Sequence, residues 1–406
     1  VSFDSRGCRI KPVFIETVFK DCFQRPFSRI LSIKDLMRHV FALLLTSERR
    51  AISGLAGLYA SRMLGLFMVL PVLALYADEL AGATPLLIGL ALGIYGLTQA
   101  CLQIPFGWLS DRFGRKRMIV IGLLLFGLGS VVAALADSIS GIIIGRALQG
   151  SGAVAAVIMA LLADQTREQV RTLAMAAIGL SIGLSFALAM VLGPWLAART
   201  GLASVFWFTA LLTLVGLLVL WRWVPAAPRR LKHRDVGMDR RQLRHVITRP
   251  DLWRLDVSIF ALHLVLMAIF VAVPFRLLEA GIGVERHGMA YLAIMGAAFV
   301  LMLPLVIIAE KYQHMKLICL LAVGAITLSL AALGLPVADG RGLFVWLLVF
   351  FTGFNLLEAT LPSMLSKLAP AGAKGTAMGV YSTGQFLGAF LGGTLGGFLA
   401  HHWGLD

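Results

Sequence analysis

Arg62, Arg146, His263 and Glu358 stand inside long apolar runs, where few ionisable groups belong. A charge at the centre of such a run carries an insertion penalty of about 2.5–3.5 kcal/mol. Each of the four therefore implies a partner, a wet path or a reaction. Arg146 is surrounded by isoleucine and alanine, and its guanidinium must face a cavity or a carboxylate. That arrangement serves either substrate and proton movement or a structural ion pair. Glu358 follows Asn355 by about one helical turn. Burial penalises the ionised form of a carboxyl, which makes Glu358 a candidate proton carrier. The plainer alternative is a hydrogen-bonded carboxyl that only ties helices together. His263 titrates in the useful range, although a lone histidine in an apolar helix more often serves packing. Arg62 either pairs with a carboxylate or extends toward the membrane surface. Gln99, Gln103 and Gln385 add polar groups suited to a central cavity or to interhelical hydrogen bonds.

A second concentration of charge runs from Gly107 to Arg117 and holds one acid, Asp111, with the cations Arg112, Arg115, Lys116 and Arg117. It reads as a compact basic turn between two apolar runs. Such a cluster does not cross a bilayer readily, so it marks the cytoplasmic face. Asp164 ends another apolar run on the same side, and Arg115 is placed to bridge Asp111 and Asp164. A topology signal and nothing more is the simpler alternative.

These groups have to be positioned by membrane helices. Of the residues, 59% are hydrophobic and 14% charged, and the mean hydropathy is +0.87. A soluble chain carries about 25% charged residues. Apolar runs long enough to span a bilayer cover roughly 53–77, 84–107, 117–136, 139–163, 171–198, 202–223, 254–279, 287–309, 315–335, 342–366 and 374–400. The short alternating segments of a β-barrel are not found. The formal charge is +15. Its cations fall in alternate loops: Arg49 and Arg50, 107–117, Arg167 and Arg171, the 222–254 stretch, Lys311 and Lys316, and Lys367 and Lys374. The intervening loops hold little beyond Asp78, Glu79, Asp137, Arg199, Glu285, Arg286, Asp339 and Arg341. This asymmetry sets the N-terminus in the cytoplasm and accounts for the basicity through the lipid bilayer, without nucleic acid. Cys8, Cys22, Cys101 and Cys319 show neither metal nor disulfide spacing.

The expected organisation is a cytoplasmic tail over 1–50, a six-helix bundle over 51–223, a basic linker over 224–253 and a five-helix bundle over 254–406. Val1–Leu36 reads as an extension upstream of a natural start at Met37. Arg171 to Met175 and Lys374 to Met378 are similar, each opening the fifth helix of its half, and Asp111–Arg112 has a weaker counterpart in Glu310–Lys311. Repeated halves of this kind are a transporter pattern. Gly89 and Gly93, and Gly388, Gly392 and Gly396, form small-residue stripes for close packing of helices 2 and 11. Gly150–Ser–Gly152 imitates a dinucleotide fingerprint but lies inside an apolar run with no strand before it. With no phosphate loop, metal cluster or nucleophile–base pair, the chain reads as no enzyme and needs no cofactor or metal.

The pattern of Gly107, Leu109, Asp111, Gly114 and Arg115–Lys116 resembles the signature between helices 2 and 3 of the major facilitator superfamily of transporters. Gly145–Arg146, Gln149–Gly150 and Gly152 resemble that superfamily's helix-4 motif. Gly193–Pro194 resembles part of its antiporter motif, with Ala197–Ala198 where a glycine pair is usual. Ser61–Gly65, Phe67–Pro71, Ile94–Gln99 and Lys374–Tyr381 extend the similarity to bacterial drug/proton antiporters of the superfamily, over about residues 50–402. The resemblance implies an all-α membrane protein with two pseudo-symmetric bundles and eleven of the usual twelve helices, lacking helix 12 and a soluble C-terminal domain. It implies a monomer in the inner membrane that exchanges protons for a small lipophilic or amphipathic substrate. Gly107, Asp111, Arg115 and Asp164 would then form a cytoplasmic gate, with Gly107 permitting close helix approach and Asp111 set at the N-terminus of helix 11 near Lys374 and Gly375. Arg146, Glu358, Arg62, His263, Asn355 and Gln99 would line the proton-coupling cavity. Sugar or metabolite symport or uniport, and a non-transporting sensor on the same fold, remain alternatives. The first is kept open by the missing glycine pair.

Overall fold

The structure is a computed structural model that describes residues 44–77, 80–225, 246–311, 314–334, 340–370 and 374–403. Most of the expected tail and most of the expected linker therefore lie outside the described residues. By its contacts the chain divides into Val1–Arg49 and Arg50–Asp406, and the helical architecture belongs to the second unit. Helices α1 (Thr46–Tyr76), α2 (Pro85–Phe113), α3 (Arg115–Ala134) and α4 (Ile139–Gln165) come first. They are followed by α5 (Glu168–Thr200), α6 (Leu202–Arg222), α7 (Pro250–Glu279), α8 (Val284–Lys311), α9 (Met315–Leu333), α10 (Gly340–Leu368) and α11 (Lys374–Trp403). Ten of them are long and apolar enough to cross a membrane. The other, α11, is long enough at 30 residues, but glycine and hydroxyl side chains lower its hydropathy.

Local chemistry explains the boundaries. Thr84 caps α2, its hydroxyl accepting from the Leu87 amide at 3.2 Å, and proline follows at the first helical position, where no amide is needed. The basic stretch is not the turn expected from the sequence. α2 continues through it to Phe113, and the chain reverses at Gly114 alone, whose φ of +99° is open to glycine and strained for other residues. Asp111 and Arg112 thus lie in the last turn of α2 and Arg115 opens α3. Helix α4 is also not continuous. It breaks between Ser151 and Ala155, a feature the apolar run conceals.

Helices α1–α6 pack among themselves, as do α7–α11. α11 is the wedge between the two groups, and two glycine stripes let it sit there. A methyl group on Gly388 or Gly392 would collide with the carbonyls of Phe260 and Leu264 on α7. One on Gly393 or Gly397 would collide with Gly89 and Pro85 of α2. The stripe at 388, 392 and 396 therefore serves α7, while the approach to α2 uses the neighbouring pair. The closest contacts between the groups gather at the end opposite the basic stretch. There α2 meets α11, Gly288 of α8 lies against Val191 of α5, and the Leu70–Tyr76 part of α1 packs on α7. At the basic end a methyl group on Gly107 or Gly379 would meet nothing within 4 Å. No helix lies against Gly107 at contact distance among the described residues. Exposed tryptophans ring both ends, with Trp108, Trp221, Trp223 and Trp253 on one side and Trp195 and Trp403 on the other, as in a membrane-interface belt.

Candidate functional site

The first helical group buries two arginines. Arg62 on α1 is 2% exposed and Arg146 on α4 is 1% exposed. The break in α4 explains the first. At the break the Gly152 carbonyl leaves the regular helical ladder, accepts from the Val154 amide at 2.8 Å, and keeps a second lone pair for a side-chain donor. Arg62 Nη2 donates to it at 3.0 Å. The same nitrogen donates to Tyr95 Oη and Gln99 Oε1, both at 2.9 Å. The Phe126 ring lies 5.5 Å from the guanidinium carbon, in range for a cation–π contact. Arg146 donates to Gln149 Oε1 at 3.0 Å and to the carbonyls of Ala91 and Leu92 at 3.3 and 3.4 Å, and it stacks over the Tyr95 ring at 5.1 Å. Tyr95, Gln99 and Gln103 recur every four residues and so share one face of α2. Gln99 donates on to Gln103 at 3.3 Å, and Gln149 donates to Ser130 at 2.8 Å. The sequence reading asked for a cavity or a carboxylate at Arg146. Its partners are neutral carbonyls and amides instead, which satisfy the guanidinium without cancelling its charge.

The second group holds half-buried acids. On α10, Glu358 Oε1 accepts from Gln385 of α11 at 3.4 Å, and Oε2 lies 3.9 Å from His263 Nε2 on α7. Gln385 and His263 are joined at 2.8 Å, and His263 Nδ1 contacts the Ile259 carbonyl at 3.2 Å. The His263 ring packs 5.8 Å from Phe354. Asn355 is half-buried one turn before Glu358. The sequence reading passed over Asp256 and Tyr381. Both have buried side-chain oxygens with no hydrogen-bond partner, as does Glu358 Oε2. Asp256 stands seven residues before His263, on the same face of α7, and that spacing was the available signal. The two groups of helices meet where Tyr95 packs edge-on to Phe386 at 6.4 Å, next to Gln385.

At the basic end, Arg115 Nε pairs with Asp164 at 2.7 Å and Nη2 with Asp111 at 2.9 Å. Its Nη1 donates to Ser110 Oγ at 3.0 Å, and Ser110 donates to the Gly107 carbonyl at 2.6 Å. One guanidinium thereby ties the ends of α2, α3 and α4. The side chains of Lys374 and Gly375, to which Asp111 was assigned, lie outside the described residues. Lys116 donates to the Leu220 and Val224 carbonyls, closing the C-terminal end of α6 as cations do. An apolar cavity of about 260 Å³ at the opposite end is lined by Tyr76, Leu80, Ala133, Ala136, Ile142, Gly201, Leu202 and Ala203, with no charged side chain.

A multi-pass helical bundle with polar groups buried between its spans is the build of a membrane transporter. The family model described as Major Facilitator Superfamily matches residues 55–404, and the chain belongs to that superfamily. It is 52% identical over 342 residues to the inner membrane transport protein YajR of Escherichia coli K12, covering 84% of this chain and 75% of that one. It is 26% identical over 339 residues to the multidrug resistance protein MdtH of Yersinia enterocolitica, covering 80% of each. Among solved structures, a bacterial homologue of the human lysosomal transporter Spinster in an inward-facing, occupied conformation shares the fold. Its TM-score is 0.69 at 15% identity, over 88% of this chain and 83% of the other.

Proposed function

We propose that the protein is a monomeric, proton-coupled exporter of small lipophilic or amphipathic compounds, working by alternating access in the inner membrane. The observation that carries this reading is Glu358. It is a carboxyl inside a membrane span, with one oxygen buried and unpartnered, beside His263 and Gln385. Such a group changes the energy of closing the protein around it when it gains or loses a proton. A proton moves the equilibrium between two states only by binding them differently, and a carboxyl exposed in one state and shut in the other does so. The similarity to proteins described as an inner membrane transport protein and a multidrug resistance protein supports the membrane and the substrate class.

In this reading residues 51–223 and 254–406 are the moving bundles and 224–253 is the tether. The positive-inside rule sets the basic end, and with it the N-terminus, in the cytoplasm. The contacts at the opposite end then describe a state shut toward the outside. Gly107, Asp111, Arg115 and Asp164 lie at the basic end and act as the gate when that end closes. The test is flux of a panel of lipophilic dyes in proteoliposomes under an imposed pH gradient. Glu358→Gln is expected to abolish gradient-driven flux while leaving dye binding. Unchanged flux in that variant removes Glu358 from coupling, and a gradient without effect on the unmodified protein removes proton coupling altogether.

A further inference from the structure

Proton coupling through Glu358 leaves a second half-buried acid unused. Asp256 lies on α7, and its Oδ1 is buried with no partner. The groups that face this region come from three helices. α11 contributes Tyr381, whose hydroxyl is also buried and unpartnered, and Gln385. α10 contributes Glu358, with its free Oε2. α7 itself carries His263, together with an exposed Arg254 and the Arg249–Asp251 pair at its start, where the ions are 3.9 Å apart. Tyr381 lies within electrostatic reach of both Glu358 and Asp256.

Helix geometry orders these groups into two layers. On α7, Asp256 and His263 are seven residues apart, which is about 10 Å along the axis on one face. On α11, Tyr381 and Gln385 are four apart, about 6 Å along a shared face. The two faces oppose each other, because Gly384 lies against the Asp256 backbone carbonyl and Gly388 against that of Phe260. One layer is His263, Gln385 and Glu358. The other, nearer the basic end, is Asp256 and Tyr381.

We propose that Asp256 is a second proton-binding carboxyl of the transport site, acting with Glu358 and Tyr381, so that closing the path around α7, α10 and α11 takes up two protons. The proposal rests on the proton-coupled reading and deepens it. Neither Asp256 nor Glu358 has a lysine or arginine within ion-pair distance among the described residues, Glu358 having His263 at 3.9 Å, and closing either carboxylate away from water in its charged form is disfavoured. Two carboxylates sharing one neighbourhood disfavour each other further. Each uptake moves one proton from water to a carboxylate oxygen, forming an O–H bond and removing one negative charge. Release on reopening reverses it. Tyr381 keeps its own proton and offers its oxygen to whichever carboxyl holds one.

The test needs no substrate. The full chain reconstituted in lipid is titrated from acid to alkaline pH while infrared difference spectra follow the carbonyl stretch of protonated carboxyls. Two buried-carboxyl signals are expected, one lost in Asp256→Asn and the other in Glu358→Gln. Tyr381→Phe is expected to keep both and to shift both. An Asp256→Asn spectrum identical to that of the unmodified protein overturns the proposal. An Asp256→Asn spectrum lacking one signal beside a Glu358→Gln spectrum lacking none overturns instead the assignment of Glu358. If Asp256→Asn does not fold, Asp256→Glu is expected to displace the same signal, and no displacement overturns the proposal.

Discussion

The two helical groups hold opposite charges inside their spans, the cations fully buried and the acids half-buried. In the first, Arg62 and Arg146 are permanent cations, almost wholly enclosed, and donate to carbonyls, amides and a phenol. In the second, Glu358 and Asp256 are titratable acids with spare, buried oxygens, and the Glu358 side chain is 38% exposed. A guanidinium keeps its charge under all ordinary conditions, and Arg62 keeps it although its Nε and Nη1 are buried without a hydrogen-bond partner. A carboxyl can discard its charge, so its charge can follow proton occupancy. The comparison separates a scaffold from a switch. The cationic cluster holds α1, α2 and α4 in one arrangement, and the acidic cluster is free to change with proton occupancy.

That contrast is broken most severely at Arg62. Replacing it with Met removes the donor to the Gly152 carbonyl, Tyr95 Oη and Gln99 Oε1 at once. The Gly152 carbonyl keeps the Val154 amide, but it, the Tyr95 hydroxyl and Gln99 Oε1 all lose their charged donor inside the protein. A buried polar group that loses its hydrogen-bond partner costs about 1–3 kcal/mol, and Arg62 serves three. Thermal unfolding in detergent micelles should show a large drop in melting temperature for Arg62→Met, and a change within error would mean that Arg62 is not the strut of the α4 break. Arg146→Met should lie in the same direction but be smaller, about 1–3 kcal/mol. Its bonds to Ala91 and Leu92 are long and fall on carbonyls inside continuous helix, while Gln149 keeps Ser130. Equal losses for the two variants would erase the difference drawn between them.

How much of this could be read from the chain follows the same division. Arg62, Arg146 and Glu358 were legible because a charge in an apolar run is conspicuous whatever surrounds it. The helical spans were legible because length and hydropathy alone define them. The partners were not. The sequence cannot say that a helix breaks at Gly152, because glycine and serine are tolerated in unbroken membrane helices. Without that break the role of Arg62 is invisible. Asp256 escaped notice because it follows Asp251 and Arg254 at the start of a span, where charges usually meet water. The basic stretch was read as a turn because its glycines and charges fit one, whereas Gly114 alone bends the backbone. The two stripes on α11 are interleaved, so spacing could not tell which glycine faced α2.

The sharpest form of the comparison is Glu358→Gln. If the acidic cluster is a switch and not a strut, stability should hardly change, by about 0.5 kcal/mol or less, as for substitutions that break no buried network. Glutamine keeps the shape, and its oxygen can still accept from Gln385, as Glu358 Oε1 now does. What it lacks is the ability to gain or lose a charge. An unchanged melting temperature together with lost gradient-driven flux would place the residue in coupling alone. A fall comparable to that of Arg146→Met would make Glu358 a second strut, tying α10 to α11 as Arg62 ties α1 to α4. The division between a fixed first group and a responsive second group would then have to be abandoned.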